Sequence, residues 1–585
     1  MSTLRVAIVG AGPKGMSALE RLVHYASHST SRAMYEVDLY EPHRSPGAGP
    51  IYDPRQPEYL RMNIATDVVD AWWAAGRVPD DARHPSFATW RRLQLRSITR
   101  ELGDTALDAF PPRAVVGRYL EHAFAMIVES APESMRVRVM PHRVLDIEPV
   151  GAGWTVRADG LERSGEPYDE VLIATGHASG WSDALTQVWR SSVSPMTTVF
   201  PVQEQLSRER VAPGARVAVR GFALTCIDAA LALTEGRGGS FHALDHPWRL
   251  RYERGPADIL CLLPFTRSGR PMLSKPLPGL LASVGGIGEI TARGRERIRT
   301  LDAGLDLRVD LLPVLVDSAV ASIQAVTSAG NDHVILDDVR ADADHWLRGA
   351  LDGSPTRVDG NDVVGQIAKS LDVGCGAAAP DMLWALGHAW RSLYPAIVDR
   401  VGGNGLTAVA WPGFVRLARE LERIAFGPPA ANAAKLLALV DAGIVDLTHL
   451  HGGRLVSVDG ESELRSAATS SRVDVVVDAV LPPAGIFGLS TAPLATLLDV
   501  GAVRTRRGRR GLDVLGDGSC VGADGIATPG LAAIGRPTED STIGNDTLSR
   551  RMHPLAELWA ERVVTRAGRE RSSAATSRAD LARQG

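Results

Sequence analysis

The chain has 585 residues, more than one domain of ~100–200 residues accommodates, and 45% of them are hydrophobic against 23% charged, so it has the material for large buried cores. A net charge of −4 gives no ground for a nucleic acid or an anionic membrane as partner. The four cysteines, Cys226, Cys261, Cys375 and Cys520, form no close pair, which argues against a disulfide framework, a metal site and a paired-cysteine redox centre.

The first element is a strand, Val6 to Val9, that runs into a glycine turn and then a helix-forming stretch. Gly10, Gly12 and Gly15 fit the G-x-G-x-x-G pattern, followed by Pro13 and Lys14 within it. Gly10 permits the tight turn, Gly12 lets the backbone approach a pyrophosphate, and Gly15 lets helix and strand pack closely. The helix start presents free N–H groups to phosphate. A second strand, Val37 to Tyr40, ends at Glu41, where an acid accepts the hydroxyls of an adenosine ribose. The motif, in this setting, indicates a dinucleotide without saying which.

Residues 46–57 read as a Gly/Pro-rich loop and 117–129 as a helix. A short antiparallel section and a return strand, Glu170 to Ile173, follow over 136–176, closing in the turn Ala174-Thr175-Gly176-His177. A second strand–turn–helix spans Arg216 to Thr234, with Gly221 and Thr225 at its turn. Only Gly221 survives from the fingerprint there, so a βα unit without ligand stays open beside a second nucleotide site. Helices are expected over Pro380–Val398 and Pro412–Ile424, the latter with Leu417, Leu421 and Ile424 on one stripe. Arg472 to Asp478 reads as a buried strand, the basic run Arg504–Arg510 as a solvated loop, 530–535 as another glycine turn, and Leu555–Val564 as the last helix. No apolar run reaches ~18 residues and a strand begins close to Met1, so neither a span nor a signal peptide is expected, and the expected location is cytoplasmic.

These segments resemble the FAD–NAD(P)-binding proteins grouped with bacterial amino-acid N-hydroxylating flavin monooxygenases, including the nitrosuccinate-forming aspartate N-monooxygenases. The resemblance is carried by residues 9–22, by Gly47 to Tyr52, Leu60 to Asn63, Pro112 to Leu120, Ala174 to His177 and Leu233 to Gly239. It implies an α/β, two-dinucleotide-binding-domain flavoprotein, Rossmann-like, with FAD, NADPH or NADH, and a helical insertion. The expected division is a discontinuous FAD-binding domain over 1–200 and 455–566, an NAD(P)-binding-like domain over 201–335, the helical insertion over 336–454 and a disordered tail over 567–585.

The resemblance places Met62 and Asn63 beside the flavin ring, with a helix cap as the other reading of Asn63. Thr175 and Gly176 close the return turn beside FAD, and His177 is either a catalytic or merely an exposed turn residue. Lys14 is a phosphate contact or an exposed lysine. Asp540 or Glu539 stands where such folds place an acid against the ribityl chain. Gly221 and Thr225 would hold NAD(P)H, with Arg237 or Arg267 near a 2′-phosphate. Arg267, Arg270 and Lys275 grip a substrate carboxylate or form a solvated basic loop. The implied reaction is N-hydroxylation of a small amino acid or related amine through a C4a-hydroperoxyflavin, with O2 as co-substrate. An FAD dehydrogenase or oxidase without NAD(P)H, and a non-catalytic dinucleotide-binding scaffold, remain the alternatives.

Overall fold

The computed structural model describes the chain except residues 1–2, 32, 73–83, 99–108, 162–164, 177–183, 193–194, 247, 282–283, 331–335, 355–361, 404, 468, 487–492, 546, 551 and 569–585. His177 and most of the tail over 567–585 lie outside the described residues.

The opening strand Thr3–Val9 is buried on both faces, as its unbroken apolar run requires, and sits inside a six-stranded sheet. It pairs in parallel with Met34–Tyr40 on one side (Val6 opposite Val37) and with Glu170–Ile173 on the other (Val6 opposite Glu170). Ala527–Ala533 and Met135–Met140 extend the sheet in parallel, and Ser519–Val521 adds an antiparallel edge. Met135–Met140 therefore leaves the antiparallel section expected for 136–176, which reduces to the hairpin Val144–Val150 with Gly153–Ala158. Helix Pro13–His28 covers the sheet with Met16, Leu19 and Leu22. The final helix, 555–568, packs into the same core through Trp559 and Val563.

A second sheet is wholly parallel, in the order Cys261–Phe265, Arg216–Arg220, Val475–Asp478, Met196–Thr198. The strand Val475–Asp478 thus belongs here and not to the first sheet, so the expected 455–566 segment is divided between the two. A run of valines suits the middle of either parallel sheet, and its partners Val217 and Met196 decide the matter. Helices Leu224–Ala232, Val363–Gly374 and Ala430–Asp441 share this second core.

The helical unit begins earlier than 336. Helices Ile287–Arg299 and Leu312–Gly330 join Leu336–Asp352, Met382–Val401 and Trp411–Ala425 around Leu315, Trp346, Trp390, Phe414 and Leu417. Leu417, Leu421 and Ile424 are all buried in it, as their spacing requires. The stretch Leu307–Thr327 is long and apolar enough by composition to cross a membrane. Here Leu311, Leu312, Leu315, Ala319 and Ile323 are buried among the neighbouring helices.

Candidate functional site

A cleft of about 2410 Å3 runs between the two sheets and the helical unit. Its wall carries thirteen Arg and Lys side chains against seven Asp and Glu, in a chain whose net charge is negative, so it is a place for anions. Both glycine turns reach it, through the loop 42–50 packed on the first and through Phe222 to Thr225 at the second.

At the first turn each glycine has a distinct constraint. Gly10 has φ +101°, in the left-handed region, and a Cβ on Gly15 would stand 1.9 Å from the Gly10 carbonyl oxygen. A Cβ on Gly12 would meet nothing within 4 Å. That open space lies at the start of helix Pro13–His28, where Gly12 offers no side-chain cap to the free N–H groups. The Gly47 N–H donates to the Ala11 carbonyl at 2.6 Å, which folds the 45–50 loop over the turn. The glycine motif therefore ends in an open, uncapped helix start, a shape and polarity that fit a pyrophosphate.

Glu41 is buried at the end of its strand and accepts from the backbone N–H groups of Ala11 and His43, both at 3.0 Å. Burial raises its pKa while those two N–H groups and the His43 charge oppose the rise. Each oxygen retains a lone pair for a ribose hydroxyl. Among the described residues the buried Thr175 hydroxyl has no hydrogen-bond partner, and Gly176 beside it meets no neighbour. An orphaned hydroxyl, an open glycine cradle and a strand-end carboxylate fit the donor and acceptor pattern of FAD.

Lys14 is not simply exposed: its Nζ donates to the Thr547 carbonyl at 2.8 Å, tying the glycine helix to the C-terminal segment. Met62 is buried and held by its N–H to the Pro111 carbonyl at 2.9 Å. Asn63 caps no helix; its side-chain amide donates to the Phe426 carbonyl at 3.3 Å, and its own carbonyl accepts from Lys275 Nζ. Both residues line the cleft.

The expectation for Asp540 is corrected. It is buried, has φ 73°, and its oxygens accept from the Arg510 backbone and guanidinium at 2.8–2.9 Å, so it is turned away from the cleft. Glu539, Arg510 and Arg536 line the cleft instead. Arg237 is corrected likewise. It is buried and donates to the carbonyls of Leu206, Val211 and Ala257, a structural bracket with no reach to a 2′-phosphate. The basic run Arg504–Arg510 is not a solvated loop. Arg504 and Arg506 pair with Asp513 at 2.9 and 2.5 Å, and Arg509 stacks over Trp411 at 3.2 Å.

At the second turn Gly221 has φ +104° and donates its N–H to the Phe265 carbonyl, at the carboxyl end of the parallel strand Arg216–Arg220. Thr225 is buried at the first turn of helix Leu224–Ala232 and borders the cleft. Arg267 is exposed on the cleft wall. Arg270 forms a bidentate pair with Glu420, whose charge it thereby shares with Arg423 at 3.2 Å.

Lys275 sits over the Phe426 ring at 5.4 Å, and burial together with the nearby Arg391 charge pushes its pKa down to about 7. Arg391 was missed by sequence reasoning. It lies on helix Met382–Val401, expected only as a helix over Pro380–Val398, and donates to the Ala425 carbonyl at 3.0 Å. A stripe of Gly387, Arg391 and Tyr394 on that helix was the available signal, a small residue and two polar ones at helical spacing.

The sequence model of the FAD-NAD(P)-binding family matches residues 7–178. Over 269 residues the chain is 32% identical to an L-aspartate N-monooxygenase (nitrosuccinate-forming) of Streptomyces cremeus, covering 42% of this chain and 40% of that protein. Over 260 residues it is 33% identical to the nitrosuccinic acid synthase npaA of Aspergillus oryzae, covering 42% and 37%. The match spans only about 40% of the length of these curated relatives. Among solved structures, the reduced form of ornithine hydroxylase from Pseudomonas aeruginosa has the same fold, with a TM-score of 0.50 at 12% identity, covering 96% of this chain and 99% of that one. The chain thus has an α/β fold of the two-dinucleotide-binding type with a helical unit, and its residues 7–178 match the model of the FAD-NAD(P)-binding family.

Proposed function

We propose that this chain is an FAD-dependent, NAD(P)H-using monooxygenase that N-hydroxylates the amino group of a small amino acid. The observation that carries the reading is that one cation-rich cleft joins both glycine turns to the Met62–Asn63 segment and to Lys275. The similarity of 42% of the chain to an L-aspartate N-monooxygenase and to a nitrosuccinic acid synthase supports the reaction class.

FAD, when bound, supplies hydride acceptance from the nicotinamide and activation of O2. The chain contributes the rest. Gly10, Gly12 and Gly15 cradle the pyrophosphate and Glu41 receives the ribose hydroxyls. Thr175 and Glu539 supply polar contacts along the cofactor, and Gly221 and Thr225 seat the second nucleotide. The buried Met62 and the half-buried Asn63, held by the Pro111 and Phe426 carbonyls, give the reacting centre a rigid wall that limits access of water. A substrate amine reacts only unprotonated, and Arg391 and Lys275 disfavour an ammonium nearby. The cytoplasm, where reduced nicotinamide is formed, is the compartment consistent with this chemistry.

The test is incubation of the purified protein with FAD, NADPH, air and a panel of small amino acids, read by mass spectrometry. A gain of one oxygen on an amine is expected. If neither NADH nor NADPH bleaches the flavin, the reading fails and a flavin dehydrogenase or oxidase takes its place.

A further inference from the structure

Arg44, Arg55, Arg143, Arg267, Arg416 and Arg419 stand exposed on the cleft wall, where water screens them, and the more sheltered cations divide by compensation. Arg113 is paired with Asp228, Arg270 and Arg423 with Glu420, and Arg510 with Asp540. Lys275 and Arg391 differ: their partners among the described residues are backbone carbonyls and an aromatic face, and no carboxylate acts on either. Both are anchored at the same place, the end of helix Trp411–Ala425, where Arg391 holds the Ala425 carbonyl and Lys275 lies over Phe426. The helix Met382–Val401 can approach there because Gly387 faces Ile424, where a Cβ would stand 2.9 Å from the Ile424 carbonyl oxygen.

Two uncompensated cations in the wall of a cleft are costly unless a ligand completes them. An arginine fork with unused N–H groups beside a lysine ammonium matches one carboxylate. We propose that Lys275 and Arg391 form the seat for a carboxylate of the substrate, so that the chain selects amines that carry an acid group. The inference rests on the N-hydroxylation reading of this cleft, and it narrows the three-residue group Arg267, Arg270 and Lys275 to Lys275 with a new partner.

The seat is linked to protons. Lys275 is largely neutral above pH 7 in the empty cleft, and a bound carboxylate restores its charge, so binding takes up a proton there. Arg391 is the charged group that acts on the Lys275 ammonium. Glu420 and Arg423, on helix Trp411–Ala425, are engaged with Arg270 and with each other, and Lys369, on helix Val363–Gly374, pairs with Asp381 at 3.1 Å. His388, one turn before Arg391, is pushed down to about 4 by burial and by Arg391 and stays neutral across this range.

The experiment is calorimetric titration of the flavin-loaded protein with succinate, a dicarboxylate without an amine, at pH 6.5 and 8.5. Wild type should bind it roughly tenfold more weakly at the higher pH, with proton uptake seen as a buffer-dependent heat. Arg391→Met should lose at least about tenfold in affinity, and Arg391→Lys less. Lys275→Met should lose both affinity and pH slope. Lys275→Arg should keep the affinity and lose the slope, because an arginine does not titrate here; a merely structural lysine would show no such split. Equal binding by wild type and Arg391→Met, a slope retained in Lys275→Arg, or binding of butane-1,4-diamine as tight as succinate would each overturn the seat. Succinate binding of the expected form in a protein that adds no oxygen to any amine would uphold the seat and remove the N-hydroxylation reading.

Discussion

Arg113, on helix Arg113–Glu129 of the first domain, donates to Asp228 Oδ2 at 2.7 Å, on helix Leu224–Ala232 of the second. Asp228 is 2% exposed and burial raises its pKa against the pull of Arg113. The pair therefore joins the units of the first and second sheets at the cleft that both residues line. Replacing Arg113 by Met leaves a buried carboxylate without its cation and should cost about 3–5 kcal/mol in urea unfolding at pH 7. The loss should shrink in acid, as Asp228 takes up a proton, and the double variant with Asp228→Asn should recover much of it. Equal destabilisation at pH 5 and pH 8 would contradict the assignment.

The glycines of the first turn should separate stability from cofactor binding. Gly15→Ala drives a Cβ into the Gly10 carbonyl and should destabilise the fold itself, with loss of soluble yield or a drop of several degrees in Tm. Gly12→Asp has room in the unliganded chain, so the apoprotein should melt near the wild-type temperature. The aspartate occupies the pyrophosphate cradle with a negative charge, so the protein should purify colourless.

Arg237 should prove indifferent to the choice of nicotinamide. Its guanidinium brackets three carbonyls inside the second domain. Arg237→Met should lower stability by about 1–3 kcal/mol for the unsatisfied buried groups it leaves. The ratio of kcat/KM for NADPH over NADH, measured on the same variant, should stay within twofold of wild type.

Asp70 supplies a pH test of the first core. Burial raises its pKa from 3.8 to about 6, although the Trp72 N–H, Arg550 and the Tyr119 hydroxyl oppose the rise. The folded protein therefore holds this proton more tightly than the unfolded chain. Its contribution to stability is full below about pH 4 and is lost as the pH rises through about 6. Asp70→Asn keeps a side-chain oxygen for the Trp72 N–H, which donates to Asp70 at 3.0 Å. The variant should flatten the fall in Tm between pH 4 and pH 7. A wild-type-like slope in Asp70→Asn would assign the titration elsewhere.

Local signals in the chain were sufficient where the chemistry is local. The strand, glycine turn and helix of residues 3–28 are adjacent in sequence, and each glycine has a steric reason that a motif can carry. Glu41 was legible because a strand end beside a glycine turn is a fixed distance along one β-α-β unit. The apolar stripe of Leu417, Leu421 and Ile424 was legible because helical periodicity and burial coincide.

Other assignments depended on partners far along the chain. Val475–Asp478 would fit the middle of either parallel sheet, and pairing with residues some 260–280 positions earlier places it in the second. Arg504, Arg506 and Arg509 read as a charge run until Asp513 and Trp411 meet them. Asp540 and Glu539 are neighbours in sequence, but only the fold turns one toward Arg510 and leaves the other on the cleft. The stripe of Gly387, Arg391 and Tyr394 did not single out Arg391, because its meaning lies in the absence of a nearby carboxylate among the described residues. The sequence by itself determined the strand, glycine turn and helix start at residue 10 on which the dinucleotide reading rests, since short-range backbone sterics and helix-end electrostatics suffice for that. Which charges remain uncompensated in the cleft is a long-range sum over distant side chains, and only the tertiary structure decided it.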